Sequence, residues 1–415
     1  MRHVSRELFN VQTPPRALEA LLRELPVRVE SETLATTSAL DRVLAEEISS
    51  PSNLPTFRRS TMDGFAVRAA DTFGATESMP AYLEVVDEVL MGRAPARALG
   101  LGECARIATG GMLPEGADAV VMVEQTQEVG PTTIEAQRAV APGDNVVQIG
   151  EDIRTGEPIL KRGHTLRAQD LGGLLALGVT SVRVARQLRV AIVSGGDELV
   201  DPDQAPGPAQ IRDVNSYTLA ALIRRDGHTP CLSGIYPDEY PALQTAAQHA
   251  LAQADAVILS AGSSVSTRDL TAQVIDSLGQ PGVLVHGVSL KPGKPTILAV
   301  CDGKPVFGLP GNPVSCMVTY DLFVAPTLAH LTGTAVRPLR RGVMARLTRN
   351  VASATGREDY VQVRLERGTD GGLDAVPVFG KSNLIFTLIR ADGMLKVPLD
   401  VGGLAAGAQV EVVLF

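Results

Sequence analysis

The strongest constraint on the fold lies between Gln187 and Gly333, where short apolar runs alternate with helical periodicity. Leu188–Val193, Cys231–Tyr236 and Ala256–Ser260 read as buried strands, and Val283–Val288, Thr296–Val300 and Val306–Leu309 continue the series. Helical segments at Asn215–Arg225, Glu239–Gln253 and about Arg268–Leu278 fall between them, and Val314–Leu331 closes the segment. Asn215 is placed to cap its helix and Gly227 to end it. Strands alternating with helices of about 10–15 residues need crossover connections, which are right-handed and give a mostly parallel, doubly wound sheet. Ligands bind such a sheet outside the carboxyl ends of its strands. Those ends carry the segment's least ordinary residues: Ser194-Gly-Gly-Asp-Glu198, Tyr236-Pro-Asp238, Ser260-Ala-Gly-Ser-Ser264 and Gly308-Leu-Pro-Gly-Asn-Pro313.

The flanks have a different texture. Thr13-Pro-Pro leads into a helix over Arg16–Leu25, with Pro at its first position. From Ala81 to Gln137 short apolar runs (Tyr82–Leu90, Ala119–Val123) alternate with Gly and Pro, which predicts a small β-rich domain. Helical pattern returns at Gln169–Leu177, so the β-rich piece reads as inserted into, or adjacent to, a unit whose halves flank it. After Arg337 the runs Gly342–Thr348, Asp359–Leu365, Ala375–Phe379, Leu395–Val397 and Gln409–Phe415 predict a small β-barrel.

Composition removes several function classes. A net charge of −8, aromatics at 4% and no Trp leave no basic stacking surface for nucleic acid. With 45% hydrophobic and 20% charged residues the chain is not disordered, and 415 residues suffice for about three domains. The apolar stretches Gly116–Val123 and Leu171–Val179 are about half of a bilayer span, and Met1–Asn10 lacks the apolar core of a secretory signal. These features predict a cytoplasmic protein with no membrane partner. Four cysteines form no CxxC pair and no His lies within four residues of another, which excludes a disulfide scaffold, a structural zinc site and an HExxH protease.

Candidate chemistry gathers at the rim of the predicted sheet. The small residues Gly262, Ser263 and Ser264 let backbone N–H groups approach an anion ahead of a helix N-terminus, although a plain βα turn has the same composition. Asp197, Glu198, Asp238 and Asp269 all follow predicted strands, where they suit Mg²⁺ with few protein ligands; singly, each also suits a helix cap. Lys291-Pro-Gly-Lys294-Pro is a stiff basic segment suited to an oxyanion, and it is not a Walker A loop because Pro295 stands where Ser or Thr is needed. Gly308-Leu-Pro-Gly-Asn-Pro313 defines a shaped turn. Ser60–Ala66 and Thr109–Asp118 are turn-dense polar stretches that, on their residues alone, read as loops.

Together these stretches resemble the molybdopterin molybdenumtransferase family, the MoeA proteins and the E domain of gephyrin. The segments occur in family order: STMDGFAV at Ser60–Val67, TGGMLPEGADAVVMVE at Thr109–Glu124, GEDI at Gly150–Ile153, GGDEL at Gly195–Leu199, KPGKP at Lys291–Pro295, GLPGNP at Gly308–Pro313, and a tail ending in RADGMLKVP. The resemblance implies four domains: a discontinuous linking domain at 1–50 and 147–186, a β-rich insert at 51–146, a molybdopterin-binding α/β domain at 187–333 and a C-terminal β-barrel at 334–415. It implies Mg²⁺-dependent insertion of molybdate into molybdopterin-AMP with release of AMP, in a homodimer whose active site is shared between subunits. A molybdopterin adenylyltransferase is the implied partner.

Carried over position by position, Asp63 and Thr109 resemble the contribution of the partner subunit. Glu198, Asp238 and Asp269 resemble the catalytic carboxylates, Asp238 and Asp269 being the magnesium partners. Lys291, Lys294, Pro310, Pro313, Ser315, Arg357 and Ser382 resemble the molybdate pocket. The chain departs from the family pattern at Ala261–Asp269, which reads AGSSVSTRD where GGVSVGDYD is usual, at Val147 and at Gln362, both usually Arg. Two other readings use the same α/β domain: a nucleotide pyrophosphatase of the competence-damage type, and a non-catalytic scaffold.

Overall fold

Six strands build the sheet expected between Gln187 and Gly333, and their alternation explains why both faces are covered. In the computed structural model, which describes residues 11–27, 29–261, 265–334, 342–368 and 371–415, these strands are β1 (Arg189–Gly195), β2 (Thr229–Tyr236), β3 (Ala256–Ala261) and β4 (Pro281–His286). After a two-residue strand, β5 (Leu290–Lys291), come β6 (Ile297–Cys301) and β7 (Lys304–Pro310). The sheet order is β2-β1-β3-β7-β6-β4; the first four run parallel, and β6 is antiparallel to both neighbours. Val190, Ile192 and Ile258 enter one core while Ala191, Val193 and Leu259 enter the other, the period-two pattern of strands buried on both faces.

Helices fill both layers. On the first face lie α1 (Pro14–Arg23), α2 (Asn215–Arg225) and the run that starts with α5 (Pro313–Thr319); on the second lie α3 (Tyr240–Gln253) and α4 (Val265–Asp276). The run Pro313–Leu331 is long and apolar enough to cross a membrane, but 67% of it is buried in the molecule, with Val314, Phe323 and Leu328 in the sheet core. A π-turn at Tyr320–Val324 interrupts it, and there the Tyr320 hydroxyl donates to Asp226 at 2.9 Å.

Two local expectations change. Asn215 is the first residue of α2 rather than its cap, because Asp213 takes that role: its Oδ1 accepts the Ser216 N–H at 3.1 Å. The other carboxylate oxygen of Asp213 accepts the hydroxyls of Ser194 (2.7 Å) and Ser216 (2.6 Å). Asn215 is thereby free to donate through Nδ2 to the Gly311 carbonyl at 2.7 Å, tying α2 to the turn after β7. In addition, α4 starts at Val265 rather than near Arg268, so Asp269 lies within the helix.

The C-terminal strands β8 (Gly342–Leu347), β9 (Glu358–Arg367), β10 (Leu373–Pro377), β11 (Gly393–Val397) and β12 (Gln409–Leu414) run in the order β9-β10-β8-β12-β11, and β11 pairs back onto β9 to close the barrel. Strand β5 adds to β9 in parallel, with Lys291 opposite Asp359. This barrel and the α/β sheet belong to one compact unit, made of residues up to Glu46, Arg162–Ala168 and Ser181–Phe415. The second unit, Glu47–Lys161 with Gln169–Thr180, holds the β-rich sheet. There Gly64–Val67 lies between Ala119–Met122 and Glu103–Ile107, followed by Ala81–Val89, Thr133–Ala136 and Thr126–Glu128.

Burial also sets a pH dependence. His228, just after α2, is desolvated, which pushes its imidazole from 6.5 down to about 4. The unfolded chain then binds the extra proton first, so stability present above pH 6.5 is lost as pH falls towards 4. The loss should be about 3 kcal/mol. Urea titrations across this range should show it, and His228→Gln should flatten the slope attributable to this residue; an unchanged slope would reject the assignment.

Candidate active site

Strands β2, β1, β3 and β7 end on one edge of the sheet, and β4, parallel to β7, ends there too. The loops at this edge therefore include Pro237–Asp238 after β2, Gly196–Glu198 after β1, Gly311–Asn312 after β7, and residues 287–296 between β4 and β6. Gly262, Ser263 and Ser264 follow β3 and lie outside the described residues.

One end of this edge is acidic. The Asp238 N–H donates to Asp197 Oδ1 at 3.2 Å, and Asp238 Oδ1 is buried without a hydrogen-bond partner. Burial raises the Asp238 carboxyl above its ordinary value, and the charges of Glu198 and Asp197 raise it further. Asp269 is exposed on α4 and is not among the charges acting on Asp238. Among the described residues no three carboxylate, imidazole or thiol groups form a ready metal chelate.

The other end opens into a cavity of about 1160 Å³, whose wall includes Lys291, Lys294, Pro310, Ser315, Arg357 and Ser382. Pro313 is the first residue of α5 and is not part of the wall. The loop carrying both lysines needs Gly293: its φ is +116°, and a Cβ there would come within 2.6 Å of both Leu290 Cδ1 and Thr319 Cγ2. The Val288 N–H closes the loop onto the Lys294 carbonyl at 2.8 Å. Ser382 is fixed from two sides, since its carbonyl accepts the Val314 N–H and its hydroxyl accepts Asn312 Nδ2, both at 3.1 Å.

Two further wall residues lie outside the pocket set that the resemblance implies, although Gln362 is one of the positions where this chain departs from the family's usual Arg. Asp359, 3% exposed, accepts Arg357 Nε at 2.8 Å and stands 3.9 Å from Lys291 Nζ. Gln362 is 6% exposed, and its Nε2 has no partner. The two-residue spacing of Arg357 and Asp359 is a usable signal for the ion pair; nothing in the local pattern marks Gln362 as a pocket residue.

In the β-rich unit the segments around Ser60 and Thr109 are laced together. Ser60 N–H donates to the Gly111 carbonyl at 2.9 Å and Gly110 N–H to the Ser60 carbonyl at 2.8 Å. This brings Asp63 to Thr109, whose N–H (2.7 Å) and hydroxyl (2.9 Å) both donate to Asp63 Oδ1. The two bonds hold the exposed Asp63 carboxyl below the usual carboxylate range.

Comparison with known proteins accounts for most of the chain. Residues 13–178 match the MoeA N-terminal region (domain I and II), 191–330 a probable molybdopterin binding domain, and 344–415 the MoeA C-terminal region (domain IV). The chain belongs to the MoeA family. A molybdopterin molybdenumtransferase of Haemophilus influenzae is 33% identical over 401 residues, covering 96% of this chain and 98% of that protein. A putative molybdopterin biosynthesis protein of Methanocaldococcus jannaschii is 36% identical over 384 residues, covering 91% and 90%. The crystal structure of a MoeA protein from Pyrococcus horikoshii OT3 superposes with a TM-score of 0.85 at 30% identity, covering 98% of this chain and 100% of that one. The expected α/β domain, β-rich domain and closed C-terminal barrel are thus the architecture of a MoeA protein.

Proposed function

We propose that this chain binds molybdopterin-AMP and molybdate along one sheet edge, releases AMP and leaves molybdenum on the dithiolene. It is a molybdopterin molybdenumtransferase of molybdenum cofactor biosynthesis. The observation that carries the reading is a single edge with a half-buried carboxylate crowded by like charges at one end and a cation-lined cavity at the other. The strands bearing Asp238 and Pro310 are three places apart in the sheet, about 14 Å at the usual interstrand spacing. A substrate with an anhydride at one end and a metal-accepting dithiolene at the other suits such an edge.

The cavity supplies what a dianion needs. Lys291, Lys294 and Arg357 offer charge, and Ser315 and Ser382 offer hydroxyls. Asp359 holds the Arg357 guanidinium in place before the anion arrives, so less order has to be created on binding. At the acidic end the residues fit a divalent cation, since Asp238 has a carboxylate oxygen without a partner and a proton affinity raised by burial and, after it, by the like charges of Glu198 and Asp197. Asp238 and Glu198 would hold Mg²⁺; Asp269, exposed on α4 and not among the charges that act on Asp238, is not placed beside them. Magnesium needs only one or two protein carboxylates, water and phosphate completing its shell. When bound, Mg²⁺ offsets the negative charge of the anhydride. In the reaction a water oxygen joins the AMP phosphorus and the anhydride P–O bond breaks. AMP and the molybdopterin phosphate separate with release of one proton, and two Mo–S bonds form as one molybdate oxygen leaves as water with the two dithiol protons.

We assign the Asp63–Thr109 pair to the site of a partner protomer in a homodimer. The four free cysteines suit a reducing, cytoplasmic setting, and the substrate requires an adenylyl-transfer enzyme upstream. A pyrophosphatase or a scaffold is not favoured, because MoeA matches run through all three regions of the chain. The test is AMP release from molybdopterin-AMP with Mg²⁺, with and without molybdate. Release that depends on molybdate is expected; release indifferent to it, or none from folded protein, overturns the reading. In the same assay Asp63→Ala and Asp238→Asn chains, each inactive alone, should regain activity when co-assembled.

A further inference from the structure

Among the described residues a few buried side-chain atoms lack a hydrogen-bond partner, and Gln362 Nε2 is the one whose residue lines the cavity. Its backbone is fixed: Gln362 faces Met394 across the β9–β11 pair, and its carbonyl accepts the Val378 N–H at 2.9 Å. The barrel thereby fixes the backbone of this wall residue; Nε2 itself is covered, so a turn of the carboxamide about its terminal torsion is what presents the N–H to the cavity. A buried amide N–H without an acceptor destabilises a fold, and Leu or Met would fill the same volume without that cost. The packing gives no reason for an amide here.

The cavity does give one. Its wall carries four cationic side chains, Lys291, Lys294, Arg357 and Lys381, against one carboxylate among the described lining residues, Asp359. Asp359 engages Arg357 and lies near Lys291, so part of that positive charge is already met before a ligand enters. A tetrahedral oxyanion offers acceptors on every oxygen, and an amide N–H can meet one without adding charge.

We propose that Gln362 is a specificity-determining residue of this cavity, its carboxamide N–H being the neutral donor that the bound oxyanion completes. The proposal rests on the reading that the cavity takes molybdate. A donor kept for a ligand has opposite effects on binding and on stability, which separates it from a structural amide.

The test uses the full chain and its Gln362→Leu and Gln362→Glu variants. Sodium molybdate is titrated calorimetrically without nucleotide, thermal midpoints are measured, and KM for molybdate is separated from kcat in AMP release. Gln362→Leu should weaken molybdate binding about tenfold, act mainly on KM, and raise the thermal midpoint. Gln362→Glu should weaken binding further, because a carboxylate repels the dianion. Unchanged binding in Gln362→Leu, or binding and midpoint falling together, overturns the proposal. If the wild-type chain binds molybdate in a Gln362-dependent way yet releases no AMP, the functional reading fails and this inference stands. If AMP release depends on molybdate with a KM indifferent to Gln362→Leu, this inference fails and the functional reading stands.

Discussion

Replacing Asp238 by asparagine should reduce AMP release about a thousandfold while making the folded chain more stable at neutral pH. The loss follows from the role proposed for this carboxylate: charge stabilisation by a metal is worth several kcal/mol in the transition state, which is about three powers of ten in rate. The gain in stability follows from the surroundings of Asp238. Its carboxyl is raised by burial and by Glu198 and Asp197, so the folded chain holds that proton more tightly than the unfolded chain does. Ionisation above the raised value therefore costs stability, a cost that disappears as pH falls through it. Asparagine removes the charge at every pH and keeps nearly the same shape. Glu198→Gln should act in the same direction on Asp238, moving the acid limb of the pH–rate profile lower because one repelling neighbour is gone. Rate measured beside the thermal midpoint decides the matter: a variant that keeps its activity within tenfold, or that loses stability, would show Asp238 to be a structural residue.

Such a signature belongs to a site that is legible in the order of strands and helices along the chain. Alternating strands and helices from Gln187 onwards force parallel strands, and parallel strands put Glu198, Asp238 and the turn at Pro310 on one edge whatever their distance in sequence. What the pattern could not resolve were choices between neighbours. Asp213 and Asn215 are both good caps two residues apart, and only the buried hydroxyls of Ser194 and Ser216 decide that Asp213 takes the helix while Asn215 reaches Gly311. The start of α4 shifted for a related reason, since Val265 to Arg268 contains Ser and Thr, which suit a cap as well as a first turn. Cavity residues on the barrel were harder still. Asp359 and Gln362 reach the wall because β5 joins β9, a parallel pairing across more than sixty positions that no local period announces. The Asp63–Thr109 contact is of the same kind: each stretch reads as a loop, and the cross-bonds of Ser60 with Gly110 and Gly111 bring them together.

Gly64→Ala should damage the β-rich unit severely, with a loss of about 3 kcal/mol or more. A Cβ at this position would stand 2.0 Å from the Val121 carbonyl oxygen and 2.9 Å from its carbon, and both are backbone atoms that cannot turn aside as a side chain can. Relief requires Gly64–Val67 to part from Ala119–Met122, where Gly64 is in register with Met122 and Phe65 with Val121. Both layers of this unit depend on that register: Phe65, Val67 and Val121 pack on one face, Ala66 and Val120 on the other. The displacement also reaches the chemistry, because Asp63 precedes Gly64 and its carbonyl accepts the Val123 N–H at 3.0 Å. Hydrogen exchange in the intact chain should therefore rise first at Phe65–Val67 and Ala119–Met122, with AMP release falling in step with the loss of protection. Asp63→Ala supplies the contrast, for its carboxylate is exposed and bonds only to Thr109 among the contacts described, so it should impair AMP release and leave exchange in those strands unchanged. Should Gly64→Ala leave both exchange and the thermal midpoint as they were, the close approach of these two strands is not what fixes Asp63 in place.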